Sequence, residues 1–180
     1  VTAPMEPPDR FLYASRPDLG LHRLLEMWPE LWSRFHLPLS IACDLRPAIQ
    51  HHAPLPGPLG DRYRRIASLL GQPGVVVHRP LDQDSYARLR ARSAALLYPL
   101  DPVTPNAEMF ALAVLEACAA GCPPVLAALD CLPSIYGDVA HFVDGGGPDQ
   151  WSAAVGQAIE QRLARADARQ TFASRYGWDR

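Results

Sequence analysis

Ala94-Ala95-Leu96-Leu97-Tyr98, then Glu108-Met109-Phe110-Ala111-Leu112-Ala113-Val114-Leu115-Glu116-Ala117-Cys118-Ala119-Ala120-Gly121, then Pro124-Val125-Leu126-Ala127 is the stretch on which the fold turns. The first run is apolar throughout and short, which suits a strand covered on both faces. After a Pro-containing loop from Pro99 to Ala107, the apolar segment from about Phe110 to Ala120 is long enough for a helix buried nearly all round, and Gly121 stands where a left-handed cap is expected. Pro124 to Ala127 reads as the next strand. Strand, helix and strand in this order make a parallel β-α-β unit.

The alternation continues outward on both sides. Phe11 to Ser15 reads as a strand, Pro17-Asp18 as a turn, and Leu21, Leu24, Leu25, Trp28, Leu31 and Trp32 as the apolar face of an amphipathic helix. Leu37 to Cys43 is a second strand, and the Pro-rich stretch Arg46 to Gly60, with His51-His52, is expected to be an exposed loop. Tyr63 to Leu70 is a helix, Gly74 to His78 a strand, and Tyr86 to Arg92 a short helix. Past the central unit come a turn through Pro133 and Gly137, a strand from Ala140 to Val143, a Gly145-Gly146-Gly147 loop, and helices over about Gln150 to Ala166 and Ala168 to Tyr176. The expected fold is α/β: a doubly wound, Rossmann-like parallel sheet of about six strands with helices on both faces. Such sheets bind ligands at the carboxyl ends of their strands, so the loops after Ser15, His78 and Tyr98 are where chemistry is expected.

A chain of 180 residues suits one well-buried domain. The net charge is -2, with 17 Lys+Arg and 19 Asp+Glu mixed along the chain, which argues against nucleic acid and for a neutral or small anionic ligand. No apolar run approaches the roughly 20 residues of a transmembrane segment. Val1 to Arg10 is Pro-rich without the apolar core of a signal peptide, and a chain opening on Val1 is expected to be excised from a longer one. Cys43, Cys118, Cys122 and Cys131 form no C-x-x-C pair and have no matching His spacing, so they read as buried free thiols in a reducing, cytoplasmic setting.

Several motifs carry little. Ser15 to Gly20 holds one glycine, not G-x-G-x-x-G, which argues against a dehydrogenase. Asp82-Gln83-Asp84 spells D-x-D but opens a helix, where Asp serves as a cap; no metal is expected. The three glycines at 145–147 lack the Lys and Ser/Thr of a phosphate loop, and His51-His52 reads as surface. Trp28 and Trp32, one turn apart, are core or domain-contact residues. Glu116 is different, because a lone carboxylate in an apolar helix needs a partner. A structural Arg, a solvated stripe and a ligand are the three readings.

Glu108 to Val125 resembles the E-x7-E signature of GT-B glycosyltransferases, whose form in the large retaining group (group 1, family 4-like) is close to E-x-F-G-[LV]-x-x-x-E-A-x-A-x-G-x-P-V. Phe11 to Arg16 with Gly20-Leu21 is similar to that group's strand, G-R turn and helix start, and Phe172 to Trp178 to its F-S-W segment. The resemblance covers nearly the whole chain and implies the carboxyl-terminal, donor-binding domain of a two-domain enzyme. It implies a nucleoside diphosphate sugar as donor substrate, no further cofactor, transfer with retention, and an N-terminal acceptor-binding domain as partner, so that this chain alone would be inactive or nearly so. By the same resemblance Glu116 would hold ribose hydroxyls and Glu108 the donor sugar. The amides of Phe110, Ala111 and Leu112 suit a diphosphate, Arg16 would stabilise the leaving group, and the segment with Arg79 and Leu81 would cradle the base. Two positions depart from the pattern: Ala111 replaces a glycine, and Leu19 stands where a phosphate-binding Lys is usual. Arg79 is the candidate to replace that cation; a solvated loop residue is the other reading. A nucleotide-binding or regulatory module without transfer chemistry, and a structural domain that has lost its ligand, are the alternatives.

Overall fold

The computed structural model describes residues 7–101 and 108–177. Within them six strands form one parallel sheet: β1 (Arg10–Tyr13), β2 (Leu39–Ile41), β3 (Val75–Val77), β4 (Ser93–Tyr98), β5 (Pro124–Ala127) and β6 (His141–Val143). Their order is β3-β2-β1-β4-β5-β6. From β1 the chain winds outward through β2 to β3, then crosses back and winds the other way from β4 to β6. β1 and β4 are therefore neighbours at the point where the winding reverses.

The described helices are α1 (Leu21–Phe35), α2 (Leu45–His52), α3 (Pro58–Leu69), α4 (Gln83–Ala91), α5 (Leu112–Ala119), α6 (Leu132–Tyr136), α7 (Pro148–Glu160) and α8 (Ala166–Ser174). α1 packs with α3 and α7 on one face, and α5 with α4 and α8 on the other. The central strands are apolar because both faces are covered: all six residues of β4 and all four of β5 are buried. Only the edge strand β3 leaves side chains, Val76 and Val77, exposed. The doubly wound, Rossmann-like α/β reading holds.

α1 buries Leu21, Leu24, Leu25, Trp28 and Leu31 as one stripe. Pro29 lies inside this helix and has no N–H to offer the carbonyl of Leu25 four residues back. Gln72 repairs the gap, its Nε2 donating to that carbonyl at 2.8 Å. Asp82 caps α4, accepting the Ser85 amide at 2.7 Å, so the D-x-D sequence serves the helix. Trp28 is fully buried and donates to the Pro73 carbonyl at 2.8 Å, a core residue.

Three expectations are corrected. The stretch from Arg46 to Gly60 is not a loop throughout, because α2 occupies 45–52 and α3 begins at Pro58. His52 is half-buried, stacked on Tyr63 with ring centroids 4.7 Å apart, whereas His51 is exposed. The turn at Pro133 is α6. In α2, α3 and α6 a proline sits in the first helical turn, where its missing N–H costs nothing because those amides have no intrahelical acceptor. The central helix also starts later than expected, at Leu112, and is not buried all round: Leu112 and Ala119 are exposed. Most of the loop expected at 99–107, the start of the lead Val1 to Arg10, and Trp178 of the F-S-W segment lie outside the described residues.

Burial holds the imidazoles of His22, His78 and His141 below their ordinary value of 6.5. Nearby Arg62, Arg10 and Arg165 with Arg169, respectively, lower them further. The unfolded chain therefore takes up protons that the folded chain refuses. Their contribution to stability is complete above about pH 6.5 and is lost as pH falls through the lowered folded values. Thermal melts are expected to show a falling midpoint from pH 7.5 to pH 5.5. Asp9 and Asp82, held below 3.8, titrate outside that window.

Candidate functional site

Where β1 and β4 end, and α5 begins, a crevice of about 280 Å³ opens at the reversal of winding. Ser15, Arg16 and Leu19 from the β1–α1 turn line one side, Glu108 and 111–114 the other, and Tyr98 lies between. The crevice is narrow because the turn touches the exit of β4 backbone to backbone. Gly20 caps α1 at φ 112°, and a Cβ added there would lie 2.0 Å from the Pro99 carbonyl oxygen.

Glu108 is held at every polar atom. Its N–H donates to Asp130 Oδ2 at 3.1 Å, and its carbonyl accepts the Cys131 thiol at 3.3 Å. Oε1 accepts the amides of Met109, Phe110 and Ala111 at 3.0, 3.1 and 2.7 Å. Oε2 accepts the Tyr98 hydroxyl at 2.6 Å, and that hydroxyl accepts from Ser15 at 3.3 Å. The sequence assigns the amides of Phe110 and Ala111 to a diphosphate, but a carboxylate already holds them. Leu112 and Ala113 line the crevice at the start of α5, where helical amides lack intrahelical acceptors and carry partial positive charge. Ala111 adopts φ 55°, the left-handed conformation that glycine takes at no steric cost and that costs an alanine about 1 kcal/mol. The hydroxyl of Tyr136 offsets this by bonding the carbonyl of Phe110 at 2.5 Å and approaching that of Ala111 at 3.2 Å.

Glu116 lies one turn into α5 and has the structural partner that was one of its three readings. Arg90 of α4 approaches its Oε2 at 3.0 Å, with the guanidinium carbon 4.3 Å from the Tyr86 ring centroid. Burial, and then the Glu116 carboxylate, push the Tyr86 phenol up to about 12. The Glu116 side chain keeps 32% of its surface exposed. Arg16 does line the crevice, but its guanidinium pairs with Asp18 at 2.7 Å, and its side chain is 67% exposed.

A second cation serves the same turn. Arg62 of α3 donates to the Asp18 carbonyl at 3.1 Å and to the Asp101 carbonyl, and pairs with the Asp101 carboxylate at 3.4 Å. His22 meets the same carboxylate at 3.0 Å, and because burial keeps its imidazole neutral at pH 7 it donates through Nε2.

No family model matches the sequence, and no curated protein matches it by sequence. Solved structures do match by shape. One is a trehalose-6-phosphate synthase studied with bisubstrate mimics of glycosyl transfer with retention: TM-score 0.67 at 13% identity, over 95% of this chain and 42% of that one. Another is TarM, with TM-score 0.65 at 11% identity, over 96% and 33%. A third is trehalose-6-phosphate synthase from E. coli bound with UDP-2-fluoro glucose, with TM-score 0.61 at 13% identity, over 94% and 41%. The fold is that of a GT-B glycosyltransferase domain. The chain spans between 33% and 42% of the length of these matched structures.

On this GT-B scaffold the expected site residues fall in three places, and Glu116, standing against Arg90, lines neither the crevice nor the hollow that holds Arg79. Glu108, Ala111, Leu112 and Arg16 gather at the crevice, with Phe110 just behind it. Arg79 does not line it. It belongs to a separate hollow of about 500 Å³ at the ends of β2 and β3, lined also by Asp44, Arg46, His78 and Pro80. Leu81 follows, exposed. Arg62 rather than Arg79 contacts the turn where Lys is absent, through the Asp18 carbonyl. Tyr98, Ser15, Asp130, Arg90 and Arg62 were not singled out from the sequence. Tyr98 and Ser15 stand at strand ends where the fold rule directs attention, whereas nothing in sequence spacing joins Arg62 or Asp130 to the crevice. Among the described residues no membrane-length apolar helix and no metal-binding cluster of His, Cys, Asp and Glu occurs.

Proposed function

We propose that this chain is the donor-binding domain of a retaining GT-B glycosyltransferase, the carboxyl-terminal half of a two-domain enzyme whose N-terminal domain binds the acceptor. The donor is a nucleoside diphosphate sugar lying in the crevice between β1 and β4. The observation that carries the reading is Glu108. An acidic side chain is anchored by the three backbone amides that follow it at a crevice mouth, beside a helix start, in a glycosyltransferase fold. Its carboxylate accepts a hydroxyl of the donor sugar. The amides of Leu112 and Ala113, with Arg16 once released from Asp18, face the diphosphate and stabilise the charge that grows on it as the sugar leaves. Glu116 takes the ribose hydroxyls while Arg90 holds its Oε2. The base lies toward the hollow of Arg79, with Leu81 beside it. Free cysteines at all four positions fit a reducing, cytoplasmic setting.

The pairing of Arg16 with Asp18 favours a second reading, a nucleotide-binding module without transfer chemistry. Calorimetry with uridine, guanosine and adenosine diphosphates and their glucose esters separates the two. The donor reading expects one base to be preferred, tighter binding with the sugar attached, and at least about tenfold weaker binding in Glu116→Ala, the loss of charge-assisted hydrogen bonds. Binding indifferent to the sugar supports the module. Identical thermal shifts for wild type and Glu116→Ala with every nucleotide end the binding claim and leave a structural domain.

A further inference from the structure

We infer that Tyr98 is a positioning residue that turns Glu108 into a reader of a single sugar hydroxyl; this rests on the donor reading above. A carboxylate has about four acceptor directions, two on each oxygen. Oε1 is saturated by the amides of Met109, Phe110 and Ala111. Oε2 accepts only the Tyr98 hydroxyl among the described residues, at 2.6 Å, which leaves it one direction beside the crevice. Glu108 thus has room for one donor hydroxyl, at Oε2, and Tyr98 decides where that direction points.

The lock is built from both sides of the winding reversal. Tyr98 ends β4 at 2% exposure, and its ring packs edge-on against Tyr13 of β1 with centroids 6.4 Å apart. Its hydroxyl accepts from Ser15, in the turn after β1, and donates to Glu108, so hydrogen bonds cross the crevice floor from β1 to α5. Burial, and then the Glu108 carboxylate, push the phenol well up, which keeps it a donor at any working pH. Asp130 and Cys131 meanwhile fix the Glu108 backbone and three amides hold Oε1, so the Tyr98 hydroxyl is the hold on Oε2, the oxygen that keeps a free direction.

Tyr98→Phe removes that hydroxyl and keeps the ring. With the uridine, guanosine and adenosine diphosphates and their glucose esters, the variant is expected to bind the diphosphate within about twofold of wild type. The extra affinity conferred by the sugar should fall about tenfold, the worth of one hydrogen bond to a charged group. A merely structural tyrosine would weaken both ligands alike, and that outcome, or an unchanged sugar increment, overturns the inference. A second measurement needs no ligand: hydrogen exchange at the amides of Met109, Phe110 and Ala111 should speed up about tenfold in Tyr98→Phe as their acceptor loosens. Unchanged exchange overturns the lock itself. If wild type binds none of the six ligands, the donor reading fails and the sugar role with it, while the exchange result still shows whether Tyr98 holds Glu108.

Discussion

Alanine at position 20 is expected to lower the stability of the chain by about 3–5 kcal/mol, combining a left-handed backbone penalty with overpacking. Gly20 sits at φ 112°, and its added Cβ would lie 2.0 Å from the Pro99 carbonyl oxygen and 2.8 Å from its carbon. Both obstacles are backbone, so no rotamer can relieve them. The turn would have to lift away from the exit of β4, and that contact sets the width of the crevice. Gly57→Ala is the control: φ is also positive, 87°, but nothing lies within 4 Å of the added carbon. It is expected to cost about 1–3 kcal/mol, the conformational part alone, because its ψ of -175° lies in a region open almost solely to glycine. Urea unfolding of the two variants checks the difference, and similar midpoints for both would mean that the close approach does not exist in solution.

Arg169→Ala is expected to cost a comparable amount, about 3–5 kcal/mol, for a different reason. Arg169 is fully buried in α8; its Nε donates to the Gly121 carbonyl at 3.0 Å and its Nη2 to the Arg162 carbonyl. Arg162, 3% exposed, then bonds the carbonyls of Ser93 at 3.2 Å and Ala91 at 2.8 Å. Two guanidinium groups thereby tie the α7–α8 segment to the start of β4 and to the turn that closes α5. Truncation leaves buried carbonyls without donors and opens a cavity. Arg169→Met keeps much of the volume and removes a charge whose ionisation burial already disfavours, so it should recover part of the loss. Equal destabilisation by Ala and Met would assign the whole effect to the hydrogen bonds rather than to packing.

The strands were legible because each is a short apolar run between breakers, and a strand covered on both faces leaves nothing else to write. α1 was legible from its stripe. Pro47, Pro58 and Pro133 read as breakers, yet each sits in a first helical turn, where a proline is tolerated, and composition alone does not tell the two positions apart. The apolar run from Phe110 reads as one helix, but α5 starts only at Leu112 because Ala111 is left-handed, a conformation an alanine does not advertise. Glu108 and Glu116 were legible through their spacing and apolar surroundings. Their partners were not, since Arg90, Tyr98 and Asp130 reach them from separate elements.

The sequence by itself determined the α/β alternation, the six parallel strands and the carboxylates before and within α5, because these follow from local periodicity and from the cost of burying charge. Tertiary structure alone decided how the site is charged. Glu108, not a free anion hole, holds the amides of Met109, Phe110 and Ala111; Arg16 is paired with Asp18; and Arg62 contacts the turn where Leu19 stands. Those outcomes depend on which side chains meet when β1 and β4 come together at the winding reversal. Contacts between residues far apart in the chain leave no period in the sequence to be read.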